Sequence, residues 1–188
     1  NYGQPLPIVF GADKLKGNVI WAYSEPGYYT NEETGEQGTY QTVDFALAIC
    51  EGELVDVLRI WSGNRLIFDN SANTDVNGIV QADADGNLQS LQVDITDPDG
   101  PLGGVAISSK TTTFTVYRGT ETQLPPQRML EIEGGCITCA HRGVAYLFVE
   151  NYVSADGSVP DLSVEVLANT EGLVPRSYFT CPTPEESF

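Results

Sequence analysis

From Tyr40 to Glu51 the apolar side chains fall on alternate residues: Val43, Phe45, Leu47 and Ile49 are interleaved with Thr42, Asp44, Ala46 and Ala48. A period of two puts the first set on one apolar face of an extended strand, whereas a helix would scatter it around its circumference. A strand in turn demands neighbours, because its backbone N–H and C=O groups need partners outside itself. This stretch therefore commits the chain to building a sheet.

The signature recurs along the chain. Leu54–Trp61 places Val55, Val57, Arg59 and Trp61 on one face and Leu54, Asp56, Leu58 and Ile60 on the other. Glu51-Gly52 turns the chain before it. Ser62-Gly63-Asn64 turns it afterwards, so that Arg65–Phe68 returns as a hairpin partner. Further strands are expected at Thr111–Arg118, stopped by Gly119, at Gly143–Glu150, and at Asp161–Leu167, where Leu162, Val164 and Val166 alternate. Near the N-terminus, Pro5–Gly11 and Gly17–Tyr23 flank the polar stretch Ala12–Lys16 and read as a β-hairpin. Residues 24–39 are polar and glycine-rich and read as an exposed loop. One short helix is expected over Leu124–Glu131, with proline at its start and Gly134-Gly135 at its end.

Residues 69–110 change character. They are rich in Asp, Asn and Gly, and one strand, Leu88–Ile95, carries Leu91, Val93 and Ile95 in register. The expected organisation is a β core formed by residues 1–68 and 111–168, an inserted excursion at 69–110, and a C-terminal tail at 169–188. The fold class is mainly β, a β-barrel or sandwich-like arrangement with one short helix. With 41% hydrophobic residues the chain has material for a core, and its nine tyrosines suit strands.

Charge narrows the function. Twenty-six acidic residues face nine basic ones, a net charge of −17. Gripping DNA or an anionic lipid surface requires Lys and Arg to neutralise phosphate, so both are disfavoured, whereas a surface that faces DNA without holding it tolerates this balance. No run approaches the roughly 20 apolar residues that span a bilayer. The opening NYGQPLPIVFG lacks the basic and apolar regions of a secretory signal, and a first residue of Asn points to a chain processed, trimmed or excised from a longer polypeptide.

Candidate chemistry is sparse. His141 is the only histidine, so any triad would rest on it alone; a hydrogen-bonding role at the start of a strand is the simpler reading. With so many acids, carboxylate pairs at glycosidase spacing arise by chance. Cys136, Cys139 and Cys181, joined by Cys50 or His141, make up a zinc or iron–sulfur ligand set on paper, but free thiols or a single disulfide are the commoner state. Cys50, in an apolar run, reads as a core residue. Asp83, Asp85 and Asn87 resemble the start of a calcium loop, yet the twelfth position holds Asp94 where an EF-hand has Glu, and an ordinary polar turn explains them as well. Tyr28 and Tyr29 are the candidates for ligand binding through aromatic contact. No cofactor and no catalytic residue is expected, and the chain reads as non-enzymatic.

Several phrases, taken in order, resemble a known family. Pro5–Gly11 with Gly17–Trp21, Phe45–Gly52, Arg59–Leu66, Val116–Pro125, His141–Tyr146 and Pro160–Val166 are similar to successive phrases of tail hub, or baseplate hub, proteins at the tail tip of siphophages and gene transfer agents. The resemblance runs from residue 5 to 166. It departs from the family at residues 69–110, a longer excursion than the family has there, and in standing alone, since the family segment usually lies within a much larger chain. The resemblance implies a structural virion protein at the distal end of the tail. It implies a homo-oligomer, a trimer, in a hub ring around the DNA channel, with the distal tail protein and other tail-tip and fibre proteins as partners. Phage DNA would pass through during ejection without specific binding. The alternative is a receptor- or glycan-binding module of the same tail tip.

Overall fold

The computed structural model describes residues 5–30, 35, 37–69, 79–80, 88–93, 112–135, 138–154 and 156–168. The chain forms β1 (Gly11–Lys16), β2 (Asn18–Thr30), β3 (Gln37–Glu51), β4 (Leu54–Ser62), β5 (Arg65–Asp69), β6 (Ile79–Val80), β7 (Leu88–Val93), β8 (Thr112–Arg118), α1 (Gln127–Glu133), β9 (Val144–Ser154) and β10 (Leu162–Ala168). All strand pairs are antiparallel. They make two sheets, ordered β1-β10-β4-β5 and β2-β3-β9-β8-β7-β6. Among the described residues both sheets are open, so the fold is sandwich-like rather than a closed barrel.

The main core lies between the sheets. Val43, Phe45, Leu47 and Ile49 of β3, with Phe114, Leu147 and Val149, meet Leu54, Val57, Ile60, Val164 and Val166 from the other side. A second, smaller core covers the outer face of the larger sheet. There Ala46, Ala48, Tyr117, Tyr146 and Phe148 pack with Met129 of α1. Strand β3 is thus buried on both faces, its alanines lying in the cluster that Met129 of α1 joins. That corrects the single apolar face expected from its alternation.

Three other expectations are corrected. The N-terminal hairpin does not form: β1 pairs with β10 and β2 with β3, in different sheets. The polar stretch Ala12–Lys16 is an edge strand in which only Leu15 packs against the core; its charges protect an open edge rather than mark a turn. The chain crosses between sheets at Gly17, where a Cβ would come within 2.4 Å of Leu47 Cγ and 2.8 Å of the Ala48 carbonyl oxygen. The expected loop at 24–39 is largely strand, since β2 and β3 stay paired out to Thr30 and Gln37. Its residues are polar because that end of β2 is mostly exposed, and Pro26 is tolerated because β2 is an edge. In β4, finally, the buried residues are Leu54, Val57 and Ile60, three apart. Two register shifts against β10 each add one residue to β4 and reset which side faces inward.

Elsewhere the local reading matches. Gly63-Asn64 joins β4 to β5, with Ser62 opposite Arg65. Helix α1 starts after Pro126 and stops at Gly134, whose φ of 77° is left-handed. Strand β7, within the 69–110 segment, pairs with β8 from Leu88↔Tyr117 to Val93↔Thr112. The remainder of that segment and the tail at 169–188 lie outside the described residues, apart from β6 and Asp69, the last residue of β5.

Candidate assembly surface

Loops at one end of the sandwich are tied into a single platform. The Glu51 N–H donates to the Pro7 carbonyl at 2.9 Å and the Gly52 N–H to the Gly143 carbonyl at 2.8 Å. Arg118, at the end of β8, sends Nε to the Leu54 carbonyl and Nη2 to the Val55 carbonyl. Gln123 is 2% exposed. Its Oε1 accepts from the Gly119 N–H at 2.9 Å, and its Nε2 faces the carbonyls of Ala140, His141 and Val144 at 3.0, 2.6 and 3.1 Å. One amide thereby ties together the residue after β8, the turn at 140–141 and the first residue of β9. Gly119 adopts φ of +86°, and a Cβ there would lie 2.3 Å from the Gly52 carbonyl oxygen.

This platform carries apolar side chains that the fold does not bury. Leu124 is 69% exposed, Ile8 58%, Phe10 57% and Val55 41%. Val9, between two of them, lies in the main core. Beside them Glu51, Glu53 and Glu121 are exposed.

The described cations are engaged within the chain. Lys16 pairs with Asp161, Arg59 with Glu165 and Asp69, and Arg128 with Asp44 and Glu25. Lys14 sits 3.6 Å from the centre of the Trp61 ring. Arg118 and Arg142 are turned to main-chain carbonyls, and Arg65 also has a partner. Every described Lys and Arg is thus held by the chain itself, and with a net charge of −17 the acids outweigh them in the field outside the protein.

No family model matches the sequence, and no curated protein matches it. Among solved structures, the chain is similar to one in "Virion of native gene transfer agent (GTA) particle", with a TM-score of 0.52 and 24% identity. The match covers 94% of this chain and 29% of that one, so the chain spans under a third of its neighbour's length. The likeness shows a shared fold.

Of the residues singled out in the sequence, Tyr28, Cys50, Cys139 and His141 lie among those the structure describes. Tyr28, 76% exposed, stands on β2. Tyr29 follows it in the same strand, its side chain outside the described residues. Cys139 is an exposed free thiol and Cys50 a buried one. Cys136, Cys181, Asp83, Asp85 and Asn87 lie outside the described residues. Among the described residues no group of three or more His, Cys, Asp or Glu is placed to hold a metal. His141 has φ of 48° and lies edge-on to Tyr146, 5.7 Å between ring centres. Its burial lowers its pKa, against a weaker opposing pull from Glu133. It lies just before β9, and its main-chain carbonyl accepts the Val144 N–H at 3.0 Å.

Sequence reasoning missed Gln123 and the exposed apolar residues. A lone glutamine carries no periodic signal. The run Ile8-Val9-Phe10 did carry one: adjacent apolar residues point to opposite sides of an extended chain, so one side must be left outward unless something covers it.

Proposed function

We propose that this chain is a structural, non-enzymatic component of a phage-like particle, part of the hub ring at the distal end of the tail. The observation that carries this reading is the fold likeness to a chain of a gene transfer agent virion over 94% of the present chain. The six tail-hub-like phrases between residues 5 and 166 support it independently. In this reading the protein forms a homotrimer that joins the tail tube, through the distal tail protein, to the fibre parts. DNA passes through the ring. An acid-dominated surface, with a net charge of −17 and its described cations held within the chain, suits a wall past which a polyanion slides without sticking.

The test is composition and position. Tailed particles purified from cells that carry the gene should contain this chain, with density for it in threefold arrangement at the distal tail end by cryo-electron microscopy. Particles that lack the chain yet have complete tail tips would overturn the proposal.

Tyr28 favours a second reading, a glycan- or receptor-binding module of the same tail tip, because an aromatic ring this exposed suits stacking on a sugar. Glycan-array binding abolished by Tyr28→Ala, in a variant with unchanged thermal unfolding, would select it.

A further inference from the structure

We infer that the loop platform is a docking face for a different polypeptide, one whose contact surface is apolar at its centre and rimmed by Lys and Arg. The inference rests on the reading of the chain as an assembly component and names the chemistry of its partner. Three observations carry it.

Ile8, Phe10, Val55 and Leu124 are outward on segments that the fold has fastened together. Exposed apolar side chains are ordinary when scattered, but here they share one end of the molecule. Their supports are held from within: Gln123 and Arg118 tie the segments of Leu124 and Val55, and the Glu51 N–H holds the Ile8 segment through the Pro7 carbonyl. Binding would therefore cost little ordering of the chain, which is how interface anchors are generally mounted.

Charge selects the occupant. Glu51, Glu53 and Glu121 flank the apolar group and make no ion pair among the described residues, while Arg118 and Arg142 at the same end are turned to main-chain carbonyls. A second copy of this chain would bring the same acids to the contact on top of a net charge of −17. Like charges facing each other across a contact oppose it, and a basic rim is steered in.

Sheet-edge addition is the weaker route to assembly at the two N-terminal edges. Strand β1 presents Asp13, Lys14 and Lys16, and β2 is interrupted by Pro26. Charged and proline-containing edges discourage strand pairing with another chain.

The test has two arms. In the first, p-benzoylphenylalanine replaces Phe10 in the full polypeptide, and purified particles are irradiated. The expected adduct joins this chain to a different polypeptide, at a peptide with Lys or Arg beside apolar residues. Adducts only to another copy of this chain, or none from particles that contain it, would overturn the inference. Absence of the chain from particles would sink the proposed function instead and leave the second arm to decide the surface.

In that arm the purified chain is titrated with a cationic amphipathic Leu/Lys peptide and with its acidic Leu/Glu counterpart. The Leu/Lys peptide should bind, and binding should weaken about tenfold or more in Phe10→Ser/Leu124→Ser and in Glu53→Lys. The control Glu131→Lys makes the same charge change on α1 and should alter binding far less. Equal loss in the control, or equal binding of the Leu/Glu peptide, would refute a specific platform.

Discussion

Arg128 on α1 and Asp44 in β3, 84 positions apart in sequence, are joined by an ion pair of 2.8 Å from Nε to Oδ2. The Asp44 side chain is 6% exposed. Its other oxygen accepts the Asn151 N–H at 2.7 Å, where a register shift between β3 and β9 puts Asn151 at φ of 56°. One carboxylate thus anchors the helix to the sheet and satisfies a backbone donor that the ladder leaves over.

Arg128→Met should lower stability by about 2–3 kcal/mol, because it strands a buried carboxylate. Asp44→Asn should cost less, since the amide keeps an acceptor for Asn151. In a double-mutant cycle read by urea unfolding, the two changes should couple by ~1 kcal/mol or more. Additive effects would show that the pair does not act as a unit.

Gly119 and Gly134 both have positive φ, but their surroundings differ. A Cβ at Gly119 collides with the Gly52 carbonyl, whereas at Gly134 it meets open space. Gly134→Ala should therefore cost about 1 kcal/mol, the ordinary left-handed penalty. Gly119→Ala should cost about 3 kcal/mol or more, since the backbone must move. Similar melting temperatures for the two variants would contradict the close approach of β8 to the β3–β4 turn.

Gln123→Leu preserves much of the volume but removes the side-chain hydrogen bonds to Gly119, Ala140, His141 and Val144. A loss of about 2–4 kcal/mol is expected from stranded backbone groups. Hydrogen exchange should quicken first at Gly119. Unchanged protection there would mean that the loops hold together without the amide.

Tyr146 supplies the opposite case. Its ring stacks on Tyr117, centres 4.5 Å apart, and its buried hydroxyl has no partner among the described residues. Tyr146→Phe should be neutral or stabilising by up to ~1 kcal/mol, because it deletes a polar atom and keeps the stack. A clear loss of stability would reveal a hydrogen bond at that hydroxyl.

Two ionisable groups give pH and reactivity readouts. Burial, with Asp44 and Glu131 nearby, raises the Glu150 carboxyl above its ordinary value, against an opposing pull from Arg128. A raised carboxyl pKa favours folding below the unfolded value, and that contribution disappears as pH rises through the folded one. The stability of Glu150→Gln relative to the parent should therefore increase from pH about 4 to about 7; a flat difference would refute the shift. Burial also pushes the Cys50 thiol up to about 11. Alkylation at pH about 8 should label Cys139 in the native protein and Cys50 only after denaturation. Equal labelling rates would mean that the core opens readily.

What the sequence determined by itself was the set of strands and where several of them stop. The alternation in β3, the glycine after β8, the two-residue turn between β4 and β5, and the glycine that ends α1 are local instructions, read within a few residues by backbone sterics and side-chain period. The tertiary structure decided which strands pair and what lies over each face. The N-terminal segments look like a hairpin until β10, some 150 residues away, proves the better partner for β1, whose Leu15 packs against the main core. Register shifts in β4 turn a period of two into a period of three. Neither outcome is written locally, because pairing depends on the combined burial of two distant segments. The platform follows the same logic: Ile8, Phe10 and Leu124 carry chemistry visible in the sequence, and only folding places them at one end.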